Sequence, residues 1–315
     1  MPNRSDTTRL VSVGENSAGE VGEVLRARGL GKKFGRTGWA LRDCTFAVPR
    51  GRLTALLGAN GAGKTTLLMM AAGLIDPSEG RIEVLGTAPD GLRMPDGVSF
   101  LAQDKPLYPR LRVEEMLRAA SVLNTGGRWD DDYARGLIDA AGVGMRRRVG
   151  QLSPGQRARV GLALSLGRRP RLLLLDEPLA ELDPVARRDV FGMLLAEVTE
   201  SGMTIVLSSH VISEIDDVCD HLILLRGGQL QLCGDIEPIL AAHTQVTGPT
   251  SAPPLNPATI IHHTASGRQQ TATVTGTQVP VGYHRTRPAL EELILAYLRS
   301  PNTPTHSMPD HGGAA

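Results

Sequence analysis

The sequence predicts an α/β protein built around a largely parallel sheet, and three observations carry that expectation. Short apolar runs of strand length, such as LLLL at Leu172 to Leu175 and the TIVL of MTIVLSSH (Met203–His210), alternate with stretches whose apolar residues recur at helical spacing. One strand-like run, RLTALLG (Arg52–Gly58), leads straight into the glycine-rich stretch GANGAGKTT (Gly58–Thr66), and TTLLMMAAGL (Thr65–Leu74) continues as a helix. Another apolar strand, in RPRLLLLDEP, ends in two adjacent acids, Asp176 and Glu177.

Taken in order, residues 1–22 are polar and read as a loose tail. VLRARGL (Val24–Leu30) and WALRDCTFAV (Trp39–Val48) are strand-like, as is the end of DPSEGRIEVLG (Asp76–Gly86) after its turn. Over about residues 104–157 the pattern turns helical: LRVEEMLRAASVL (Leu111–Leu123) and DDYARGLIDAAGV (Asp131–Val143) each have an apolar stripe, so this stretch is a helical insertion. LSPGQ (Leu152–Gln156) opens another helix, with Ser153 at its N-terminus. HLILLRGGQLQLCG reads as a hairpin turning at Gly227-Gly228. Beyond His243 the texture shifts to Thr, Pro, His and Gly. ATIIHHT and QQTATVTG are short strands there, and PALEELILAYLRS (Pro288–Ser300) is an amphipathic helix. The expected division is a core domain over 23–240, a small α+β extension over 241–300, and a disordered end at 301–315. There is no internal repeat.

Composition narrows the function classes. Basic and acidic residues number 34 and 33, and a formal charge of +1 gives duplex nucleic acid no reason to bind. Lys32, Lys33, Lys64 and Lys105 are the only lysines, and one of them sits in the glycine stretch. Cys44, Cys219 and Cys233 are far apart and odd in number, which suits a reducing compartment rather than a disulfide framework. The N-terminus lacks the apolar run of a signal peptide, and no apolar stretch approaches the roughly 18–20 residues of a membrane span. A chain soluble by itself is expected.

GANGAGKTT fits the phosphate-loop pattern in its required context, after a strand and opening a helix. Gly58, Gly61 and Gly63 let the backbone curl so that its N–H groups face phosphates, and Asn60, Ala62 and Thr66 complete the loop. Lys64 reaches the β- and γ-phosphates, and the Thr65 hydroxyl is a ligand for Mg²⁺. Asp176, at the end of its strand, holds Mg²⁺ directly or through water. Glu177, the second acid, is placed to polarise an attacking water, which a nucleotide kinase would not need. His210 ends the next buried strand; it either contacts the γ-phosphate and orients the water and Glu177, or is structural. Gln103, where the core passes into the helical insertion, either senses Mg²⁺ and water or is an exposed loop amide.

The ordered set GANGAGKTT, Gln103, LSPGQ, LLLLDEP, AELD (Ala180–Asp183) and His210 resembles the nucleotide-binding subunit of ABC transporters over roughly residues 23–240. LSPGQ looks like the family's LSGGQ signature, with Pro154 in place of the usual glycine and one N–H donor fewer. The resemblance implies a P-loop NTPase core of ABC type, with an N-terminal antiparallel β subdomain, the helical insertion and a small C-terminal extension. It implies ATP and Mg²⁺ as the bound species. It also implies a head-to-tail pair of ATPase subunits, identical or not, in which Ser153, Gly155 and Gln156 meet the partner chain's ATP and Asp183 lies at the seam. Phe34 stands where the family keeps an aromatic to stack on adenine; an ordinary core Phe is the alternative.

The expected function is therefore ATP hydrolysis powering a separate membrane-spanning permease, at the cytoplasmic face of the cell membrane and with no nucleic acid as partner. DPSEGRIEVLG, LYPRLRVEEML, SSHVISEIDDVCDHLILLRGGQL and the C-terminal LEELILAYL resemble drug and antibiotic exporter ATPases of actinobacteria, so export of a drug or other small molecule is the expected direction. The rival is a soluble ABC ATPase working on ribosomes or DNA. Against it stand the single phosphate loop, the single LSPGQ, and the lack of long heptads or paired CxxC. The tail histidines (His243, His262, His263, His284, His306, His311) have irregular spacing and no acid cluster, unlike a metal site. Arg146-Arg147-Arg148 reads as a solvated turn.

Overall fold

The computed structural model describes residues 22–300, apart from 36–37, 125–127, 213–214 and 217, and the backbone pairing of 306–307. The expected N-terminal tail, apart from Gly22, and the expected disordered end, apart from that pair, lie outside the described residues.

In chain order the first part comprises β1 (Glu23–Lys33), β2 (Trp39–Pro49), β3 (Leu53–Leu57), α1 (Lys64–Ala71), β4 (Glu79–Val84) and β5 (Val98–Leu101). The helical stretch adds α2 (Val113–Leu123), α3 (Asp131–Ala140) and α4 (Pro154–Leu166), with a 3₁₀ turn at Val149–Gln151. Then follow β6 (Leu172–Leu175), α5 (Pro184–Ser201), β7 (Thr204–Ser209), β8 (His221–Arg226) and β9 (Gln229–Asp235). The C-terminal part holds α6 (Ile236–Ala241), β10 (His243–Pro249), β11 (Ile260–Ser266), β12 (Gln269–Thr275), β13 (His284–Thr286), α7 (Leu290–Arg299) and β14 (His306–Ser307).

The main sheet runs β14-β9-β8-β3-β7-β6-β5 and is parallel except where β8 meets β9. Its centre explains its composition. Every residue of β3, β6 and β7 is buried, so these strands are continuous apolar runs covered on both faces. The β8–β9 exception turns at Gly227-Gly228, both with positive φ (55° and 79°), which a tight two-residue hairpin demands. A second sheet, β2-β1-β4, is antiparallel, as the N-terminal β subdomain was expected to be. Its inner face (Val24, Leu30, Leu41, Val48) packs with Leu67, Leu68 and Met70 of α1 against one face of the main sheet. α4 and α5 cover the other face through Leu162, Leu166, Val190 and Leu194. α2 and α3 rest on α4 through Val113, Leu117, Ala134, Ile138 and Val160.

The parallel register decides where chemistry can sit. Leu101 pairs with Leu175, Leu175 with Leu207, and Leu57 with Ser209. The residues that follow β3, β5, β6 and β7 therefore share the carboxyl edge of the sheet.

The C-terminal part holds a four-stranded antiparallel sheet, β11-β12-β10-β13, with a small core of Val246, Leu255, Ala272 and Val274. α7 does not stay with it: Leu290, Leu293, Ile294 and Tyr297 join the apolar cluster of the main sheet beside Ile239 and Leu224. Arg226 donates to the Tyr297 carbonyl at 2.7 Å and also to that of Ser300, satisfying carbonyls at the end of α7. His243, one of the tail histidines, is buried. Its Nδ1 lies 2.6 Å from the Ile239 carbonyl and its Nε2 2.8 Å from the Tyr297 hydroxyl. Six elements, β5, α5, α6, β10, β13 and β14, were not anticipated from the sequence; β14 falls within the expected disordered end, where His306 and Ser307 pair with Leu232 and Cys233 of β9.

Candidate functional site

The site begins where β3 ends. Gly58 has φ 154° and Gly63 has φ 103°, in the region that disfavours side chains. Space is short as well. A Cβ on Gly58 would stand 2.5 Å from the Leu225 carbonyl oxygen, and one on Gly63 would stand 2.5 Å from that of Ala40. The loop is thus pressed against β8 on one side and β2 on the other. α1 starts at Lys64 with no side-chain cap, so its first N–H groups are open to an anion. Lys64 is folded back and buried: its Nζ donates to the Gly58 carbonyl at 2.8 Å and lies 3.2 Å from Glu177 Oε1.

The acids arrive from β6. Asp176 and Glu177 are both buried. Thr65 donates to Asp176 Oδ2 at 2.7 Å, across 111 residues of sequence. Ser208, at the end of β7, donates to Asp176 Oδ1 at 2.7 Å and accepts the backbone N–H of Glu177 at 2.8 Å. Glu177 itself has φ 47°, a left-handed conformation that costs a non-glycine residue about 1–3 kcal/mol unless its surroundings hold it. His210 Nδ1 lies 2.8 Å from Glu177 Oε2. A carboxylate only accepts, so Nδ1 carries the proton in this contact and Nε2 is left for another partner. Glu177 thus stands between a lysine and a histidine. An open cleft runs alongside it, lined by Ala180, Arg187, Ser209 and His210.

The other expected residues lie elsewhere. Ser153 caps α4, accepting the Gln156 N–H at 3.2 Å, while the Gln156 side chain accepts the Ser153 N–H at 3.2 Å. Pro154 occupies the first turn, where a missing N–H costs least. Arg147 reaches the same turn, donating to the Gln151 carbonyl at 2.8 Å and to Gln156 Oε1 at 3.3 Å. Gly155 faces Leu182 and Ala186 at the start of α5. Among the described residues no hydrogen bond joins LSPGQ to the phosphate loop of its own chain. Asp183 caps α5 through the N–H groups of Val185 and Ala186, both at 3.0 Å, and these bonds hold its carboxyl below the usual range. Gln103 is exposed just past β5, on the sheet edge that carries Asp176. Phe34 is 47% exposed rather than part of a core, with Lys32 Nζ 5.3 Å from its ring centre.

Ser208 was missed. Its one sequence signal was a pair of serines closing an otherwise apolar strand, where a buried hydroxyl must find partners.

The donors present fit the expected ligands. A hydroxyl and a carboxylate in mutual contact, Thr65 and Asp176, are the hard oxygens Mg²⁺ takes. A buried lysine at an open helix start suits phosphate.

Residues 41–180 match the family model described as ABC transporter. An aliphatic sulfonates import ATP-binding protein, SsuB 2 of Xanthomonas axonopodis pv. citri (strain 306), is 36% identical over 218 residues, 69% of this chain and 72% of that protein. The chain belongs to the ABC transporter ATP-binding proteins. An uncharacterized ABC transporter ATP-binding protein, YxlF of Bacillus subtilis (strain 168), is 32% identical over 201 residues, 63% of this chain and 66% of its own length. The chain thus spans about two thirds of that relative. Among solved structures, cbiO1 from Clostridium perfringens, described as part of the ABC transporter complex cbiONQ, aligns with a TM-score of 0.59 at 28% identity, covering 70% of this chain and 91% of its own. The dimeric ATP-binding cassette MJ0796 bound to ADP and Pi aligns at 0.61 over 67% of this chain and 98% of its own; at 23% identity it supports the fold alone. As an ABC cassette the chain is an ATPase that uses ATP with Mg²⁺. No helix among the described residues is long and apolar enough to cross a membrane.

Proposed function

We propose that this chain is the ATPase subunit of a transporter whose membrane-spanning permease is a separate chain, and that it exports a drug or other small molecule. The reading places it at the cytoplasmic face of the cell membrane, paired with a second ATPase subunit. The cassette is residues 23–240, and 241–300 form an appended extension.

The observation that carries the ATPase reading is the Lys64–Glu177–His210 cluster beside the Thr65–Asp176 pair. In the mechanism, the backbone N–H groups of Gly58, Asn60, Gly61, Gly63 and Thr66 surround the phosphates, the Ala62 N–H closes the loop on the Ala59 carbonyl at 3.0 Å, and Lys64 swings from Glu177 to the β- and γ-phosphates. Thr65 and Asp176 would hold Mg²⁺, with Gln103 reaching in from the same sheet edge. When bound, Mg²⁺ neutralises charge developing on the transferred phosphoryl group. Glu177, released from Lys64, takes the proton of the attacking water at its carboxylate, and His210 keeps that carboxylate aimed. Ser153, Gly155 and Gln156 offer the α4 N-terminus to the ATP of the second subunit, and Asp183 sits where the subunits meet. Phe34, exposed at the end of β1, stacks on adenine.

Export rests on the resemblance of the 76–86, 107–117 and 208–230 stretches and the C-terminal helix to exporter ATPases. SsuB 2 and the molybdenum import ATP-binding protein ModC of Vibrio parahaemolyticus bear import names, at identities of 36% and 32%. Glu177→Gln, held with ATP and Mg²⁺, should trap the closed pair and retain a polytopic membrane protein from native membranes. Capture of ribosomes or DNA-bound proteins with no membrane protein would overturn the transporter reading. Reconstituted in inside-out vesicles with the wild-type chain, the membrane protein so identified should accumulate substrate in an ATP-dependent way; the opposite direction would refute export alone.

A further inference from the structure

One side chain outside the sequence motifs bonds to both acidic residues, to the carboxylate of Asp176 and to the backbone of Glu177. Ser208 is fully buried, at the end of β7 and on the face of that strand where Val206 packs in the cluster under α1. Its hydroxyl makes two bonds of defined sense. It donates to Asp176 Oδ1 at 2.7 Å and accepts the Glu177 N–H at 2.8 Å.

Each bond has a consequence. A carboxylate with Oδ1 committed to a buried donor cannot rotate freely, so Oδ2 is kept toward Thr65, which donates to it at 2.7 Å. The Glu177 N–H belongs to a residue at φ 47°, whose backbone would relax without something to hold it. Holding that N–H fixes where the Glu177 side chain leaves the chain, and so its reach to His210 and Lys64. The neighbouring Ser209 instead bonds to Val211, at 3.0 and 3.3 Å, in the turn that follows.

We infer that Ser208 is a positioning residue for this ATPase: it orients the Mg²⁺-facing carboxylate of Asp176 and sets the backbone from which Glu177 reaches the attacking water. The inference rests on the ATPase reading above and adds to it a residue outside the phosphate loop, the signature and the acidic pair. One hydroxyl thereby ties the metal ligand to the base, so that losing it disturbs both.

The test uses the full chain with Ser208→Ala, Ser208→Cys and Ser208→Thr. Alanine removes both bonds, cysteine keeps the volume but bonds weakly, and threonine keeps the hydroxyl. Mn²⁺ binding in the presence of ADP, read by electron paramagnetic resonance, should weaken about tenfold or more in S208A and S208C, as for other residues that orient a metal ligand. ADP binding in EDTA should be unchanged, kcat should fall with little change in KM for ATP, and S208T should recover both metal affinity and kcat. Should S208A fail to fold, S208C carries the same readout. Wild-type Mn²⁺ affinity and kcat in the hydroxyl-free variants would overturn the inference. So would a loss of ADP affinity in EDTA matching the loss for Mn²⁺, without rescue by threonine. Failure of the wild type to hydrolyse ATP would strike the ATPase reading instead, because Mn²⁺ affinity still decides the role of Ser208.

Discussion

Lys64 and Glu177 face each other at 3.2 Å with side chains 6% and 8% exposed, and this pair yields the sharpest test of the site. At an effective dielectric of about 20 their attraction is about 5 kcal/mol before the cost of dehydrating both groups. Removing one partner should be worse than removing both, because the survivor is left buried and uncompensated, at about 3–5 kcal/mol. Lys64→Met should fall near the lower end of that range, since His210 still faces Glu177 Oε2 at 2.8 Å. Glu177→Gln should cost less, about 1–3 kcal/mol, because Lys64 keeps the Gly58 carbonyl. The double variant should be no less stable than Lys64→Met, giving a coupling of about 2 kcal/mol. Urea unfolding of the four proteins, without nucleotide and in EDTA, measures it. Additivity within about 0.5 kcal/mol would refute the claim that these charges satisfy each other. The same pair predicts a gain elsewhere. A non-hydrolysable ATP analogue with Mg²⁺ should bind Glu177→Gln up to about tenfold tighter, since Lys64 no longer has to leave an anion. Weaker binding would refute the swing of Lys64.

Three further outcomes follow from other parts of the structure. Gly58→Ala should lower stability by roughly 2–4 kcal/mol and abolish nucleotide binding, because its methyl would meet the rigid Leu225 carbonyl and the Ala62 side chain at 2.5 and 2.8 Å; thermal melts and fluorescent-nucleotide titration check both. Burial pushes the His221 imidazole below its ordinary range, with the Asp235 carboxylate opposing more weakly. The unfolded chain then takes up a proton near pH 6.5 that the folded chain refuses, so this contribution is present above about pH 6.5 and lost as pH falls below it. The melting temperature should therefore drop on acidification, with a shallower slope in His221→Asn. Burial also pushes the Cys219 thiol up to about 12 and raises that of Cys44, so neither should react with a disulfide reagent at pH 8 until the protein is denatured. Rapid native labelling of either would contradict the burial.

The legible parts of the sequence were those whose meaning is local. GANGAGKTT works through backbone conformation and a helix start, both properties of consecutive residues. The buried strands announce themselves because a strand covered on both faces has no polar alternation to confuse the reading. α5 was not anticipated, although Asp183 as cap, Pro184 in the first turn and Gly202 at the far end mark both its ends. Its apolar residues are mixed with arginines and acids and form no clean stripe, so periodicity is a weak guide there. β5, β10 and β13 are four, seven and three residues long, and only their sheet neighbours select them over loop. The C-terminal helix was legible as a helix, yet its partner was not. That α7 leaves its own small sheet for the main apolar cluster depends on long-range packing.

The sequence by itself determined the chemistry: a phosphate loop, a hydroxyl and a carboxylate for Mg²⁺, a second carboxylate, a histidine and a signature loop, each in family order. Tertiary structure decided which of them meet. Asp176 finds Thr65 because β6 and β3 both flank β7 in a parallel sheet whose register aligns their ends. Lys64 lies against Glu177, and Ser208 reaches both acids, for the same reason. LSPGQ, by contrast, lies at the start of α4 with Gly155 facing Leu182 and Ala186, and among the described residues no hydrogen bond joins it to its own phosphate loop. Local sequence can specify a turn or a helix start, but a contact between residues 64 and 177 is made only when the strands between them have paired.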